Sequence, residues 1–97
     1  MLYEKIFKHA DGSRVQVFIS FDPQANRCDQ AFYVDRVYVC APGKRSFNGV
    51  VSSDSYEFRR IPPDERPAYK MAQYLKHITE AEILEVKTEF WQKLKPV

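Results

Sequence analysis

The sequence predicts an α+β domain: a four-stranded antiparallel meander over residues 2–61, followed by two C-terminal helices, 64–77 and 80–94, packed on one face of the sheet. Three observations carry this. Before Pro62-Pro63, apolar residues recur mostly at every second position, as in Val15, Val17, Ile19 and Phe21. After it they recur at threes and fours, as in Ala68, Met71, Ala72, Leu75 and Ile78. A period of 2 marks a half-buried strand and one of 3.6 an amphipathic helix. The double proline divides the two regimes, because proline cannot donate to a sheet ladder. At 97 residues the chain reads as a single domain, 1–97.

Residues 2–8 read as the first strand, with Leu2, Glu4 and Ile6 on one side and Tyr3, Lys5 and Phe7 on the other. Ala10-Asp11-Gly12-Ser13 suits a tight hairpin turn with positive φ at its centre. Arg14 to Phe21 is the cleanest strand, its valines and Ile19 facing one way. A polar loop, 22–27, leads to a third strand over 31–40. There Tyr33, Val37 and Val39 alternate with Phe32, Val34 and Tyr38, which predicts a strand that is central in the sheet or covered on both faces. Ala41-Pro42-Gly43-Lys44 fits a type II turn. Residues 47–51 offer brief pairing, with Asn48-Gly49 as a turn signal. The fourth strand is placed at 55–61, with Tyr56 and Phe58 on one face and Glu57 and Arg59 on the other.

Asp64 is the expected cap of the first helix, with Pro67 in its first turn. Thr79-Glu80-Ala81-Glu82 has the capping-box pattern and opens the second helix. Its stripe is Ile83, Val86, Phe90 and Leu94, widened by Leu84 and Trp91. Residues 83–90 also alternate as a strand would, giving the alternative order ββββαβ; the cap and the Glu, Lys, Gln and Ala content favour helix. The predicted core sets Met71, Leu75, Ile78, Ile83, Phe90 and Leu94 against Val15, Val17, Ile19 and Phe21.

Composition narrows the function classes. Hydrophobic residues make up 44% of the chain and aromatics 14%, enough to fill a core, so disorder is not expected. A net charge of +2 is smaller than a dedicated nucleic-acid binder usually carries. Residues 1–4 show neither a basic segment nor an apolar run of the signal-peptide kind, and no apolar run is long enough to span a bilayer. The expected location is therefore the cytoplasm, with Cys28 and Cys40 as free thiols.

No catalytic or metal motif stands out. His9 and His77 lack the local context of a triad with either cysteine. Cys28, Cys40, His9 and His77 lack the close ligand pair of a zinc site, so no metal and no cofactor is expected. Gly43-Lys44-Arg45-Ser46 resembles a phosphate loop only in part, since Tyr38 stands where the upstream glycine belongs. Glu80, Glu82, Glu85 and Glu89 read as a solvated helix face.

What remains is binding. A two-layer domain leaves one sheet face, and an edge, open to a partner. The expectation is a non-enzymatic module, an adaptor or inhibitor that occupies a protein surface, or self-associates as a homodimer. Tyr3, Phe7, Phe18 and Tyr56 would be its anchors, with Arg59 and Arg60 at the rim. The runner-up is a sequence-tolerant nucleic-acid binder with rings on the sheet and Arg14, Arg36, Lys44, Arg45, Arg59 and Arg60 on phosphates. A small enzyme without a recognisable motif ranks third.

Overall fold

The computed structural model describes residues 2–22, 24, 32–52 and 54–94. It contains a four-stranded antiparallel sheet in the order β1-β2-β3-β4, followed by helices. The strands are β1 (Leu2–Lys8), β2 (Arg14–Phe21), β3 (Phe32–Cys40) and β4 (Asn48–Gly49); the helices are α1 (Tyr56–Arg59), α2 (Arg66–Tyr74) and α3 (Glu80–Leu94). Cys28 and most of the 22–27 loop lie outside the described residues.

β1 and β2 pair without interruption from Leu2 opposite Ser20 to Lys8 opposite Arg14. Their turn is not the doubly positive-φ form expected. Only Gly12 is left-handed, at φ 91°, while Asp11 keeps negative φ. The Asp11 carboxylate instead accepts from the Ser13 N–H at 2.8 Å and the Ser13 hydroxyl at 2.6 Å. A short acidic side chain can thus build the turn locally. The Pro42-Gly43 turn is as expected, with Gly43 at φ 74° and the Lys44 N–H on the Ala41 carbonyl at 3.0 Å.

β3 carries a bulge. Arg36 lies opposite Phe18 and Val34 opposite Ile19, so Asp35 has no partner on β2. One extra residue reverses the alternation beyond it. Phe32, Val34, Val37 and Val39 therefore share one face, and Tyr33, Arg36 and Tyr38 the other. β3 is central in the sheet, as expected, with β2 on one side and β4 on the other; the alternative of cover on both faces is corrected, since β3 buries one face.

The fourth strand is not 55–61 but Asn48–Gly49, the brief pairing within 47–51, where Gly49 meets Tyr38 and Asn48 meets Val39. Residues 56–59 form helix α1. Ser55 caps it, its hydroxyl accepting from the Phe58 N–H at 3.2 Å. Over four residues, alternation cannot separate a strand from one helical turn, and the cap decides.

α2 is shorter than 64–77. The Glu65 N–H closes a turn onto the Pro62 carbonyl at 2.9 Å, so Asp64 belongs to that turn rather than to the cap. At the other end, Lys76 and His77 donate to the carbonyls three residues back, tightening the helix to a stop. α3 spans 80–94 as expected, which removes the ββββαβ alternative. Its capping box is closed both ways: Thr79 Oγ1 accepts from the Glu82 N–H at 3.1 Å, and Glu82 Oε1 accepts from the Thr79 N–H at 2.9 Å.

The core lies between one sheet face and the helices. Val15, Val17, Ile19, Phe32 and Val37 meet Tyr74, Ile78, Ile83, Val86 and Phe90, all buried. Phe21, Met71 and Leu94 pack against this cluster from its margin. Leu75, expected inside, is 39% exposed, because α2 turns Tyr74 inward in its place. Leu84 lies on the outer side of α3, whereas Trp91, though partly exposed, borders the core by meeting Phe32 edge to face at 6.0 Å. Among the described residues no helix is long and apolar enough to cross a membrane.

Candidate functional site

The strand register sorts every strand residue onto one of two faces, because directly opposed residues of an antiparallel pair point the same way. Tyr3, Lys5 and Phe7 face the helices with Ile19, Val17 and Val15. Leu2, Glu4, Ile6 and Lys8 face outward with Ser20, Phe18, Gln16 and Arg14. β3 extends the outward face with Tyr33, Arg36, Tyr38 and Cys40.

This second face is the candidate site. Leu2 is 48% exposed and Ile6 45%, both on β1, an edge strand paired only on its β2 side. At the centre, Phe18 and Tyr38 meet edge to face with centroids 5.6 Å apart. The Arg36 guanidinium sits 5.0 Å over the Phe18 ring and donates to the Tyr38 hydroxyl at 3.4 Å. Such contacts preorganise a flat cationic-aromatic patch. Lys8 and Arg14 stand side by side at one end, opposed in register.

That end is closed by the 41–47 segment. Arg14 donates to the Cys40 sulfur and to the Lys44 carbonyl, each at 3.4 Å, and lies 5.2 Å over the Phe47 ring. The Cys40 thiol donates to the Lys44 carbonyl at 3.1 Å. Cys40 is consequently buried although it points to the outward face. Lys44, whose carbonyl accepts from Arg14, and Arg45 are both exposed on this segment.

The residues singled out in the sequence are divided among separate places. Tyr3 and Phe7 lie beneath α3. The Tyr3 ring stacks on Phe90 at 5.4 Å, and its hydroxyl donates to Glu89 at 3.3 Å. Phe18 is at the centre of the outward face. Tyr56, 74% exposed, stands on α1 with Arg59 and Arg60; Arg60 lies 5.5 Å over its ring and Arg59 pairs loosely with Asp54 at 3.8 Å. Of the six cations named for phosphates, Arg14, Arg36, Lys44 and Arg45 belong to the outward face and its rim. Leu2, Ile6, Lys8 and Tyr38 join them; β1 periodicity held the first three, but only register places them beside Phe18.

The acids of α3 are not a bare solvated row. Lys5 bridges Glu89 at 2.6 Å and Glu85 at 3.1 Å. Those hydrogen bonds, from Glu89 first and then Glu85, raise the Lys5 pKa, and Lys5 holds that of Glu89 down. His9 Nε2 lies 3.2 Å from Glu82. Partial burial works to raise the Glu82 pKa, but the Thr79 N–H, His9 and the Thr79 hydroxyl outweigh it and lower it. These contacts clasp β1 to α3.

No family model, curated protein or solved structure matches the chain.

Proposed function

We propose that this protein is a non-enzymatic interaction module that holds a protein segment against the outward sheet face, the segment adding a strand to the free edge of β1. The observation that carries the reading is the pair Leu2 and Ile6, each about half exposed on an edge strand. Edge strands are normally guarded, because their unpaired N–H and C=O groups invite another chain. Here Lys5, the central lysine of β1, folds back onto Glu85 and Glu89 instead of standing guard. Lys8, Arg14 and Arg36 outnumber Glu4 on this face. The fitting partner is thus an extended segment with acidic and apolar residues in alternation, bound by strand addition.

Selection of a random-peptide display library on the purified protein tests this. Recovered peptides should alternate acidic and apolar residues and should lose binding to Ile6→Glu and Lys8→Glu, but not to Leu84→Ala on the far side. Peptides indifferent to Ile6 and Lys8 would remove the edge from consideration.

A second reading draws on the cluster of Arg36, Phe18 and Tyr38 between Lys8, Arg14 and the 41–47 rim: a single nucleic-acid strand stacking on the two rings. Titration with single-stranded RNA separates the two. Four phosphate contacts would give a slope of roughly −3 in log K against log salt, and an apolar strand-addition interface would not.

A further inference from the structure

A second concave site opens beside the Asp35 bulge, where Tyr33 of the outward face reaches its rim. The turn 61–65, helix α2 and the Asp35 bulge of β3 enclose a cleft of about 560 Å³ floored by Phe58 and Tyr74. That volume is in the range of small-molecule sites. Its walls are Tyr33, Val34, Met71 and the two prolines Pro63 and Pro67, an apolar and partly aromatic lining.

Its charge is unbalanced. The Lys70 ammonium lies 5.5 Å from the Phe58 centroid and the Arg66 guanidinium 5.1 Å from it. Arg66 is pinned in place by donating to the Ile61 carbonyl at 3.0 Å and the Arg59 carbonyl at 3.5 Å. Neither cation has a carboxylate within ion-pair distance among the described residues. The one acid of the lining, Asp35, is taken up by Arg36 at 3.0 Å. A half-buried lysine facing an apolar wall without a counter-charge is stabilised by any anion that enters.

The floor supplies a hydrogen bond. Tyr74 is 4% exposed and stands between the cleft and an adjoining hollow, sharing Asp35 and Lys70 with both, and its hydroxyl has no partner among the described residues. Burial, followed by the negative charge of Asp35, raises its pKa, so at neutral pH the group remains a donor.

We propose that this cleft binds a small aromatic carboxylate, its ring against Tyr33, Phe58 and Met71 and its carboxylate between the Lys70 ammonium and the Tyr74 hydroxyl. The arrangement asks for each part of such a ligand. Aromatic and thioether surface takes a flat ring. A flexible ammonium and a neutral hydroxyl take two carboxylate oxygens. A neutral amide of the same shape keeps the first contact and loses the charge pairing, its carbonyl oxygen accepting only a weaker, neutral hydrogen bond.

The experiment is an amide-resolved NMR titration of the whole chain with benzoate and, in parallel, with benzamide. For a ligand this small, half-saturation is expected at about 1 mM. Benzoate should give saturable shifts confined to residues 33–35, 58 and 66–74, with benzamide at least about tenfold weaker. Lys70→Gln should reduce benzoate affinity by about tenfold and benzamide affinity by far less, whereas Lys76→Gln, on the exposed turn after α2, should change neither. Tyr74→Phe, which removes only the hydroxyl, should weaken benzoate selectively and serves if Lys70→Gln perturbs the fold. Absence of saturation, equal binding of the two ligands, or shifts scattered over surface lysines would each overturn the proposal.

Discussion

Replacing Phe90 by alanine should bring this domain close to unfolding. Phe90 is 4% exposed and is the hub of the aromatic end of the core. It stacks on Tyr3 at 5.4 Å and meets Phe32 and Phe21 edge to face at 5.3 and 6.3 Å. Truncating a buried phenylalanine costs about 3–5 kcal/mol, from lost transfer energy and the cavity left behind. Each ring pair adds about 0.5–1.5 kcal/mol beyond burial, so the upper part of that range applies. A chain of this length has a total stability of about 5–15 kcal/mol. Equilibrium urea unfolding followed by far-UV circular dichroism reads the change. With a denaturant slope of about 1.3 kcal/mol/M, a loss of 4 kcal/mol moves the midpoint by about 3 M. Phe90→Leu, which keeps most of the apolar volume but not the rings, should lose about 1–2 kcal/mol. Leu75→Ala, at the exposed C-terminal cap of α2, should stay within about 0.5 kcal/mol. A Phe90→Ala midpoint shift below about 0.7 M at unchanged slope would refute the assignment of α3 to the sheet.

Other outcomes follow from individual contacts. Thr79→Ala removes the cap of α3 and should cost about 1 kcal/mol in a thermal melt, whereas Thr79→Ser should restore most of it. The Glu82 pKa is lowered in the folded state, so its contribution to stability is present above the ordinary carboxylate pKa and is lost as pH falls through the folded value. Glu82→Gln should therefore flatten the acid limb of a plot of melting temperature against pH; an unchanged limb would show that the cap and His9 contacts carry no proton linkage. Cys40 is fully buried, so mass-mapped alkylation should label it only after denaturant is added, and rapid labelling in buffer would mean that the 41–47 segment opens.

How much of this was readable from the chain varies with the length of each signal. β1, β2 and α3 match their sequence boundaries, because each repeats its period over seven residues or more. Thr79 and Glu82 announced the start of α3 by chemistry as well as by pattern. Residues 55–61 failed for the opposite reason. Tyr56 and Phe58 alternate with Glu57 and Arg59 for too short a stretch, and the deciding signal was Ser55 as a cap. The Asp35 bulge has no signature along its own strand. It appears only when β3 is laid against β2, since pairing fixes which residue is skipped. The candidate face inherits that difficulty. Arg14, Phe18 and Arg36 were evident as residue types, but their joining with Ile6 and Lys8 depends on register. The Phe58 cleft depends on α1, an element that the strand reading concealed.

The clasp between β1 and α3 has a consequence for how the protein is made. Tyr3, Lys5 and His9 find their partners 73 to 86 residues later in the chain. A ribosome therefore finishes the three long strands well before it reaches the helix that shields them. At 5–20 residues per second, the interval from Cys40 to Leu94 lasts roughly 3–10 s. Until Tyr74, Ile78 and then α3 follow, Val15, Val17, Ile19 and Val37 lack their cover, and a free β1 edge stands beside them. The nascent chain is then at its stickiest, and the emergence of α3 is what closes the apolar face and ties β1 down.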